Sequence, residues 1–260
     1  MNEMQIVSAH EYAALLSHYL QQEQQFALIA AVLRAQQKGT VYADKLRHNF
    51  FIIHSFGFCQ LLELQPNLEF AQQFKTNLEN KQFPYKKLRW YDVPSHWLQH
   101  ICELQSTEVN IVERARFKFE RMHDIAEFSD EFSIDRINQH NFSMIEARLK
   151  LDLNSRFWPS KEDFLQNTLG AVIFHHTQPI GICYACAISN EIAEVDIYTD
   201  PSYRRQGVGQ WVFAAFLQLC RERNITPHWD CYVNNIPSFD LATKLGFMPY
   251  HYYSHAIISQ

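Results

Sequence analysis

The sequence predicts a mixed α/β (α+β) fold, and the order of its apolar patterns is the main reason. From about residue 171 the patterns follow in the order strand, strand, strand, helix, strand, helix, strand. That order is typical of a mixed sheet flanked by helices. Hydrophobic residues make up 47% of the 260 residues and charged residues 20%. The chain therefore has enough apolar side chains for a core and too few charges for long disordered stretches.

The first third of the chain predicts alternating helices and strands. Ser8 is a suitable N-cap for a helix whose apolar face runs from Tyr12 to Tyr19. A second helix is predicted over about 23–38, ending at Gly39. The elements that follow are a strand at 40–44, a hairpin of 50–53 and 58–62, a helix from Asn67 to about Asn80, a strand at 87–91 and a short helix from Pro94.

Residues 110–121 alternate between two faces, which predicts a long strand. One of its faces is largely polar and carries Arg116. The polar stretch 123–135 that follows is the best candidate for a linker. We therefore predict an N-terminal α/β domain over 1–125 and a C-terminal domain over 126–260.

The second half gives clearer signals. Asp135 is predicted to cap a helix that includes Ile137 and Ile145, and Ser160 with Asp163 resembles a capping box. The remaining elements are strands at 171–174 and 180–188 joined by a turn near Gln178–Pro179, a strand at 192–199, a helix at 206–223, a strand at 227–233, a helix at 236–245 and a strand at 250–258.

The segment Arg204–Gly209 lies between a predicted strand and a predicted amphipathic helix. The N–H groups and the dipole at a helix N-terminus form a site for anions. The two glycines of this segment let the backbone approach a phosphate without a Cβ, and its two arginines add positive charge. It is neither a Walker A loop, since no Gly-Lys-Ser/Thr follows, nor a dinucleotide fingerprint, since the third glycine position is Val212.

The same segment resembles the R/Q-x-x-G-x-G/A signature of the GNAT superfamily of N-acetyltransferases, and the chain looks like that superfamily's bacterial two-part subfamily. The resemblance implies that this turn holds the pyrophosphate of acetyl-CoA. It also implies that the preceding strand pairs its backbone with the pantetheine arm. The cofactor-binding residues implied here are Ile197, Tyr198, Thr199, Arg204, Arg205, Gln206, Gly207, Val208, Gly209 and Gln210.

A second segment resembles the same family. Asn235–Ser238 followed by Leu241–Phe247 is similar to the family's N-x-x-A/S…K-L-G-F ending, which implies that Asn235 and Ser238 lie beside the CoA arm. The resemblance covers about 135–260 and implies a GNAT-type, mostly antiparallel sheet. The N-terminal half resembles its counterpart in the subfamily more weakly, as a degenerate GNAT-like half.

The catalytic groups are left open by the pattern. Many GNAT enzymes have a tyrosine acid seven residues after the motif asparagine, where this chain has Ala242. Glu194 and Asp196 share one face of a predicted strand. Each is as often structural as catalytic. The candidates are Tyr232, Tyr250 or a water for the acid, and Glu194, Asp196, Asp230 and Cys231 for the base.

Composition bears on partners and location. The formal net charge of -5 and the lack of a long Lys/Arg run argue against nucleic-acid binding. No signal peptide or membrane span is recognisable, so we expect a cytoplasmic protein without a membrane partner.

Cys183 and Cys186 fall on a predicted strand with their side chains on opposite faces, and no second pair completes a metal site. A homodimer is left open.

We expect an N-acetyltransferase that moves an acetyl group from acetyl-CoA to a primary amine of a small molecule or a protein. The amine attacks the thioester directly, aided by positioning and by backbone N–H groups that polarise the carbonyl. Two other hypotheses stay open at this point: an acyl-CoA sensor that has lost catalysis, and a protein-interaction role for the N-terminal half.

Overall fold

A computed structural model describes residues 4–23, 25–104, 107–124, 128, 130–153 and 155–260. The contacts group the chain into two compact units. Unit 1 comprises Met1–Arg114 with Tyr252–Gln260, and unit 2 comprises Ala115–His251. The boundary predicted between residues 125 and 126 falls outside the described residues, so a division into domains at that point stays a prediction.

Unit 1 is an α/β unit. Its elements, in chain order, are β1 (Gln5–Ile6), α1 (Tyr12–Tyr19), α2 (Ala27–Leu33), β2 (Gly39–Ala43), β3 (Asn49–His54), β4 (Phe58–Glu63), α3 (Leu68–Glu79), β5 (Lys87–Trp90), α4 (Ser95–Cys102) and the first part of β6 (Val109–Phe119). The strands lie in the order β1-β2-β3-β4-β5, followed by the C-terminal part of β12 (Phe247–Ser259). β4 and β5 are parallel, while the other pairs among β1–β5 and the β5–β12 pair are antiparallel.

Local signals explain the main elements of unit 1. Asn67 caps α3 by accepting a hydrogen bond from the Phe70 N–H at 3.1 Å. The hairpin of β3 and β4 turns at Gly57, whose φ of +81° favours glycine. One face of the sheet packs against α3 and α4 through buried aromatic rings. The Trp90 ring of β5 lies 5.3 Å from Phe74 of α3 and 6.0 Å from Trp97 of α4 between centroids.

Unit 2 also has an α/β architecture. Its elements are the rest of β6, β7 (Phe132–Arg136), α5 (Phe142–Leu149), α6 (Lys161–Asn167), β8 (Gly170–His175), β9 (Gln178–Ser189), β10 (Ile192–Thr199), α7 (Val208–Glu222), β11 (Thr226–Tyr232), α8 (Ile236–Lys244) and the first part of β12. The strands lie in the order β12-β6-β11-β10-β9-β8-β7. β10 and β11 are parallel, whereas the pairs β7–β8, β8–β9 and β9–β10 are antiparallel. The predicted mixed, mostly antiparallel sheet flanked by helices is confirmed.

One face of the unit 2 sheet forms a core with the helix α7. Val212, Phe213 and Phe216 of α7 are fully buried together with Ala193 of β10 and Trp229 of β11. Because strand side chains alternate between faces, the residues between these core positions lie on the opposite face of the sheet. That opposite face carries the charged and aromatic groups of the candidate site.

Most predicted elements are confirmed to within a few residues, but two details are wrong. Asp135 does not cap a helix; it lies in β7, which pairs with β8, and α5 begins only after Asn141. Tertiary strand pairing here overrides the local cap signal. The second helix is much shorter than 23–38, and Gly39 opens β2. The turn predicted near Gln178–Pro179 is confirmed, since it lies at His176 and Thr177, immediately before β9.

The predicted linker 123–135 is also partly wrong. Its last residues belong to β7, which begins at Phe132. Residues 125–127 and 129 of this stretch lie outside the described residues.

Candidate active site

β10 and β11 pair in parallel over a short length. The pairs are Ile192–Thr226, Ala193–Pro227 and Glu194–His228. β10 stays paired with β9 as far as Thr199. We call the last pair of the parallel ladder, Glu194–His228, the fork. Beyond the fork, the edge of β10 that faces β11 is outside this ladder, so its backbone groups can pair with an extended ligand.

β10 keeps its alternation of faces although its neighbour is irregular. The pairing register between β9 and β10 shifts between Glu194 and Val195, where β9 has one extra residue, Cys186. Val195 and Ile197 pack against the unit 2 core. Glu194 and Asp196 therefore share the opposite face, as the sequence predicted, and Tyr198 follows them on it.

Two residues with left-handed backbone shape the turn between β10 and α7. Arg205 has a φ of +62° and Gly207 a φ of +89°. Gly207 is the N-cap of α7 and supplies no side-chain cap to its first N–H groups. A Cβ on Gly207 would lie 3.1 Å from the Trp211 ring, so both the backbone angle and the packing favour glycine. The side chains of Arg204 and Arg205 are exposed.

Hydrogen bonds hold the rest of this turn. Arg204 Nε donates to the carbonyl of Thr199 at 3.3 Å, and Gln206 Nε2 donates to the carbonyl of Ser202 at 3.1 Å. The side chain of Val208 is buried in the core, so only its backbone can reach a ligand. Gly209 and Gln210, which follow in the first turn of α7, are half-buried.

Asp200 ties the start of the turn to α5. Its carboxylate accepts hydrogen bonds from the Ser202 N–H at 2.9 Å and from Arg148 Nη1 at 2.8 Å. The Ser202 N–H and the Arg148 guanidinium hold the pKa of Asp200 below its usual value. The charge of Arg148 is thereby fixed beside the turn.

Asn235 and Ser238 both have structural partners. The Asn235 side chain caps α8 by accepting from the Ser238 N–H at 3.4 Å. Trp229 Nε1 donates to Ser238 Oγ at 3.1 Å. These contacts account for both residues within the fold, and their contact with a CoA arm stays a prediction.

A buried arginine lies at the fork. Arg116 of β6 is fully buried, although the sequence places it on a largely polar face. Its Nη1 lies 3.7 Å from Glu194 Oε1, its Nη2 lies 3.4 Å from His228 Nδ1, and its Nε donates to the Tyr250 hydroxyl at 3.2 Å. One guanidinium thus contacts both residues of the fork and a residue of β12. The Glu194 carboxylate is charge-balanced where it is buried.

His228 is held in its neutral form. Burial, followed by the positive charges of Arg116 and Lys118, lowers the pKa of His228 to about 4. The neutral imidazole can accept from the guanidinium through Nδ1. A group with so low a pKa is poorly matched to proton abstraction near neutral pH.

Asp196 has a more open environment than Glu194. Its Oδ2 accepts from the Tyr184 hydroxyl at 2.8 Å and lies 3.7 Å from Arg156 Nη1. The Asp196 side chain is 34% exposed, against 9% for Glu194. Burial, together with the charge of Asp196, raises the pKa of Tyr184 well above its usual value, so this phenol remains a donor.

The position of the family's usual tyrosine is closed by packing. Ala242 is fully buried in the unit 2 core, so a tyrosine substituted there would have no room. Tyr232 ends β11 and is half-buried, on the same face as Asp230. Cys231 belongs to the core face and is buried, which argues against its use as a nucleophile.

The Cys183 and Cys186 pair lies on β9, as predicted, and both residues are buried thiols that form no disulfide. Burial raises the pKa of each thiol well above its usual value. Within the described part of the chain, no three His, Cys, Asp or Glu side chains lie close enough to hold a metal ion.

Several residues at the site were missed by sequence reasoning. They are Arg148, Arg156, Tyr184 and His228. None of them belongs to a recognisable motif, because each reaches the site through strand pairing or through a connection distant in sequence. One signal for this cluster was present in the sequence, the charge of Arg116 in the middle of a strand with alternating faces. That signal did not predict the burial of Arg116.

Comparison with known proteins identifies the class as an acyltransferase of the GNAT type. The chain belongs to the GNAT acetyltransferase family, whose model matches residues 17–255. A similar protein is the uncharacterized N-acetyltransferase YdfB of Bacillus subtilis (strain 168). It is 25% identical over 223 residues, which cover 84% of this chain and 85% of the relative.

Solved structures show the same fold over nearly the whole chain. A GCN5-related N-acetyltransferase-like protein from Streptococcus suis 89/1591 has a TM-score of 0.73 at 18% identity, covering 96% of this chain and 99% of that one. A tandem GNAT protein from the clavulanic acid biosynthesis pathway, in a form without AcCoA, has a TM-score of 0.65 at 11% identity. It covers 99% of this chain and 97% of that one. At these identities the likeness shows the fold alone.

A bilayer-spanning helix is not found among the described ranges, where no helix is both long and apolar enough.

Proposed function

We propose that this acyltransferase moves an acetyl group from acetyl-CoA to a primary amine by direct attack of the amine on the thioester. The observation that carries the proposal is the N-terminus of α7, where the N-cap residue Gly207 supplies no side-chain cap to the first N–H groups. This helix follows β10, whose parallel pairing with β11 ends at the fork. GNAT family proteins use acetyl-CoA, and the uncapped N–H groups of α7 suit its pyrophosphate. Arg204 and Arg205 add positive charge beside them.

The remainder of the donor lies along β10 in this proposal. The backbone of Ile197, Tyr198 and Thr199 pairs with the pantetheine arm, as an added strand pairs with a free sheet edge. The arm then runs from the turn toward the fork, which brings the thioester near Glu194 and Asp196. Backbone N–H groups of β10 beyond the fork polarise the thioester carbonyl.

We assign the role of base to Asp196 and a structural role to Glu194. The Glu194 carboxylate is buried against Arg116, whereas Asp196 is 34% exposed. The ammonium group of the acceptor gives one proton to Asp196, and the lone pair of the resulting neutral amine forms the C–N bond at the carbonyl carbon. The tetrahedral intermediate collapses with cleavage of the C–S bond. The leaving thiolate takes a proton from Tyr232, which regains one from the second N–H of the former amine through solvent. Asp196 releases its proton to solvent, which restores the base.

The test is release of free CoA thiol from acetyl-CoA in the presence of an amine panel. We expect amine-dependent release. Asp196→Asn should lower kcat by about 100-fold or more, in the range of general-base contributions. The matched control is Asp130→Asn, which changes an exposed carboxylate outside the site and should leave kcat unchanged. Binding of acetyl-CoA without release by any amine would reject the proposed transfer.

The other predictions remain part of the proposal. A cytoplasmic location, a homodimer and a degenerate GNAT-like N-terminal half rest on the sequence. The acceptor is a small molecule or a protein side chain.

A further inference from the structure

Two opposite charges, those of Arg156 and Asp196, lie side by side at the face of β10 that also carries Glu194. Arg156 Nη1 is 3.7 Å from Asp196 Oδ2, and the side chains are 46% and 34% exposed. That distance is beyond a hydrogen bond. Both side chains are more accessible to solvent than those of the Arg116–Glu194 pair, which are 0% and 9% exposed.

The connection that carries Arg156 is anchored on the fold. It runs from α5 to α6, and Phe157 and Trp158, which follow Arg156, are both buried. The Arg156 guanidinium lies over the Phe157 ring at 4.8 Å from its centroid. An arginine whose neighbours are buried and whose guanidinium stacks on a ring loses less entropy on binding a carboxylate.

The same anchors reach Asp196. The Trp158 ring contacts Phe164 of α6 at 6.3 Å between centroids, and Phe164 contacts Tyr184 of β9 at 5.7 Å. Tyr184 is buried and donates its hydroxyl to Asp196 Oδ2 at 2.8 Å. A continuous set of packed rings thus positions both the Arg156 guanidinium and the Asp196 carboxylate. An ion pair between two mobile surface side chains has no such support.

We propose that Arg156 and Asp196 together recognise an acceptor that carries a carboxylate next to its amino group, that is, an α-amino acid. The Arg156 guanidinium binds the carboxylate in the planar, two-hydrogen-bond geometry that arginine favours. Asp196 receives the ammonium group. The two charged groups of an α-amino acid are separated by a single carbon, which matches charges that already lie within ion-pair distance.

This inference rests on the proposed function, since Asp196 is also the base there. The ammonium group that forms the ion pair with Asp196 is the group that gives up a proton to it. Tyr184 does not touch the acceptor in this scheme. It is a positioning residue that holds Oδ2 while the substrate approaches the carboxylate.

The experiment compares α-amino acids with the amines formed by their decarboxylation, at equal concentrations of the unprotonated amine. We expect kcat/KM for the amino acid to exceed that for the amine by at least about tenfold. Arg156→Gln should lower kcat/KM for the amino acid by about 10- to 100-fold, mainly through KM, because a charged hydrogen-bonding partner is lost. The ratio of kcat/KM for the amino acid to that for the decarboxylated amine should fall by about tenfold or more, because only the amino acid has a carboxylate for Arg156 to bind. Arg156→Lys keeps the charge and should recover part of the loss.

The matched control is Arg136→Gln, which breaks the exposed Arg136–Glu222 pair of 2.6 Å and should affect neither substrate. Acetyl-CoA affinity measured on each variant shows that the donor site is intact. Equal kcat/KM for amino acid and amine, or an equal loss for both in Arg156→Gln, would overturn the inference while leaving acetyl transfer standing. Failure to acetylate any amine would instead reject the proposed function, and this inference with it.

Discussion

In unit 1 the chain passes from β4 to α3 through Leu64–Asn67, and in unit 2 it passes from β10 to α7 through Asp200–Gly207. Both passages join a strand to a helix that leads to a parallel neighbour, β5 in one case and β11 in the other. The order of elements is the same. The chemistry at the start of the helix differs.

The helix start in unit 1 is already occupied. Asn67 caps α3 with its own side chain at 3.1 Å, and its amide donates to Asp44 Oδ2 at 3.4 Å. Glu69 adds a negative charge in the first turn. A cap that uses the N–H groups, with carboxylates close by, disfavours a phosphate. In unit 2 a glycine takes the cap position and two arginines stand beside it.

The residues at the two parallel strand pairs, β4–β5 and β10–β11, also differ in their chemistry. In unit 1 the pairs are Phe58–Arg89 and Cys59–Trp90. Phe58 stacks on Tyr91 at 5.5 Å, and Tyr91 stacks on Phe26 at 4.5 Å. In unit 2 the fork is held by the buried guanidinium of Arg116. The comparison teaches that one order of strands and helices can carry different chemistry, which the residues at the junction decide.

The largest expected effect is on the charged fork. Arg116→Met removes the guanidinium that balances the charge of the buried Glu194 carboxylate and should lower the free energy of unfolding by about 3–5 kcal/mol. Chemical denaturation followed by tryptophan fluorescence measures it. Arg136→Met removes an exposed arginine and should cost no more than about 1 kcal/mol. Adding Glu194→Gln to Arg116→Met should recover part of the loss. Equal losses for the two arginine variants would contradict the fork's dependence on charge.

A pH-dependent effect comes next. The pKa of His228 is lowered from 6.5 to about 4, so the unfolded chain binds a proton at a pH where the folded chain does not. The stability linked to His228 is present above pH 6.5 and is lost as the pH falls toward 4. The loss should amount to at most about 3 kcal/mol.

The measurement is the difference in unfolding free energy between wild type and His228→Gln across this range, since carboxylates titrate in both proteins. The difference should shrink toward low pH, whereas a constant difference would show that His228 is not held neutral. In unit 1, burial lowers the pKa of His255 in the same direction, and His255→Gln should give the same sign.

A smaller effect separates the two helix starts. Asn67→Ala should cost about 1 kcal/mol of stability, because a helix cap is lost. It should leave acetyl-CoA affinity unchanged, since the unit 1 junction holds no donor in this account. A weakened affinity in Asn67→Ala, measured by calorimetry on folded protein, would mean that unit 1 takes part in donor binding.

Local patterns predicted the elements whose signals are short-range. Asn67 and Ser160 were recognised as caps, and β10 was predicted with the bounds the structure gives, Ile192–Thr199. Asp135 was misassigned because pairing of β7 with β8 decides its conformation. The turn between β10 and α7 could be predicted because strand, glycines and helix follow one another in sequence.

The fork could not be predicted in this way. It depends on which strands are neighbours and on where a parallel ladder ends, and neither property is encoded in a local pattern. The burial of Arg116 follows from partners on β10, β11 and β12. For the same reason the two carboxylates predicted on one face of β10 could not be told apart until Arg116 and Tyr184 were located.

The central claim is that acetyl-CoA binds once, at the turn before α7. Titration calorimetry of the full chain tests it most directly. We expect one acetyl-CoA per chain. Binding should weaken at least about 100-fold in Gly207→Glu, which puts bulk and negative charge at the proposed pyrophosphate site. Because Gly207 has a φ of +89°, thermal unfolding must show that this variant is folded.

Arg205→Glu, at an exposed position, serves as a second variant and should weaken binding by at least about tenfold through loss of a charged contact. Gln65→Glu places the same charge at the exposed unit 1 junction and should leave binding as in wild type. Two bound molecules per chain, or wild-type affinity in both unit 2 variants, would contradict the claim.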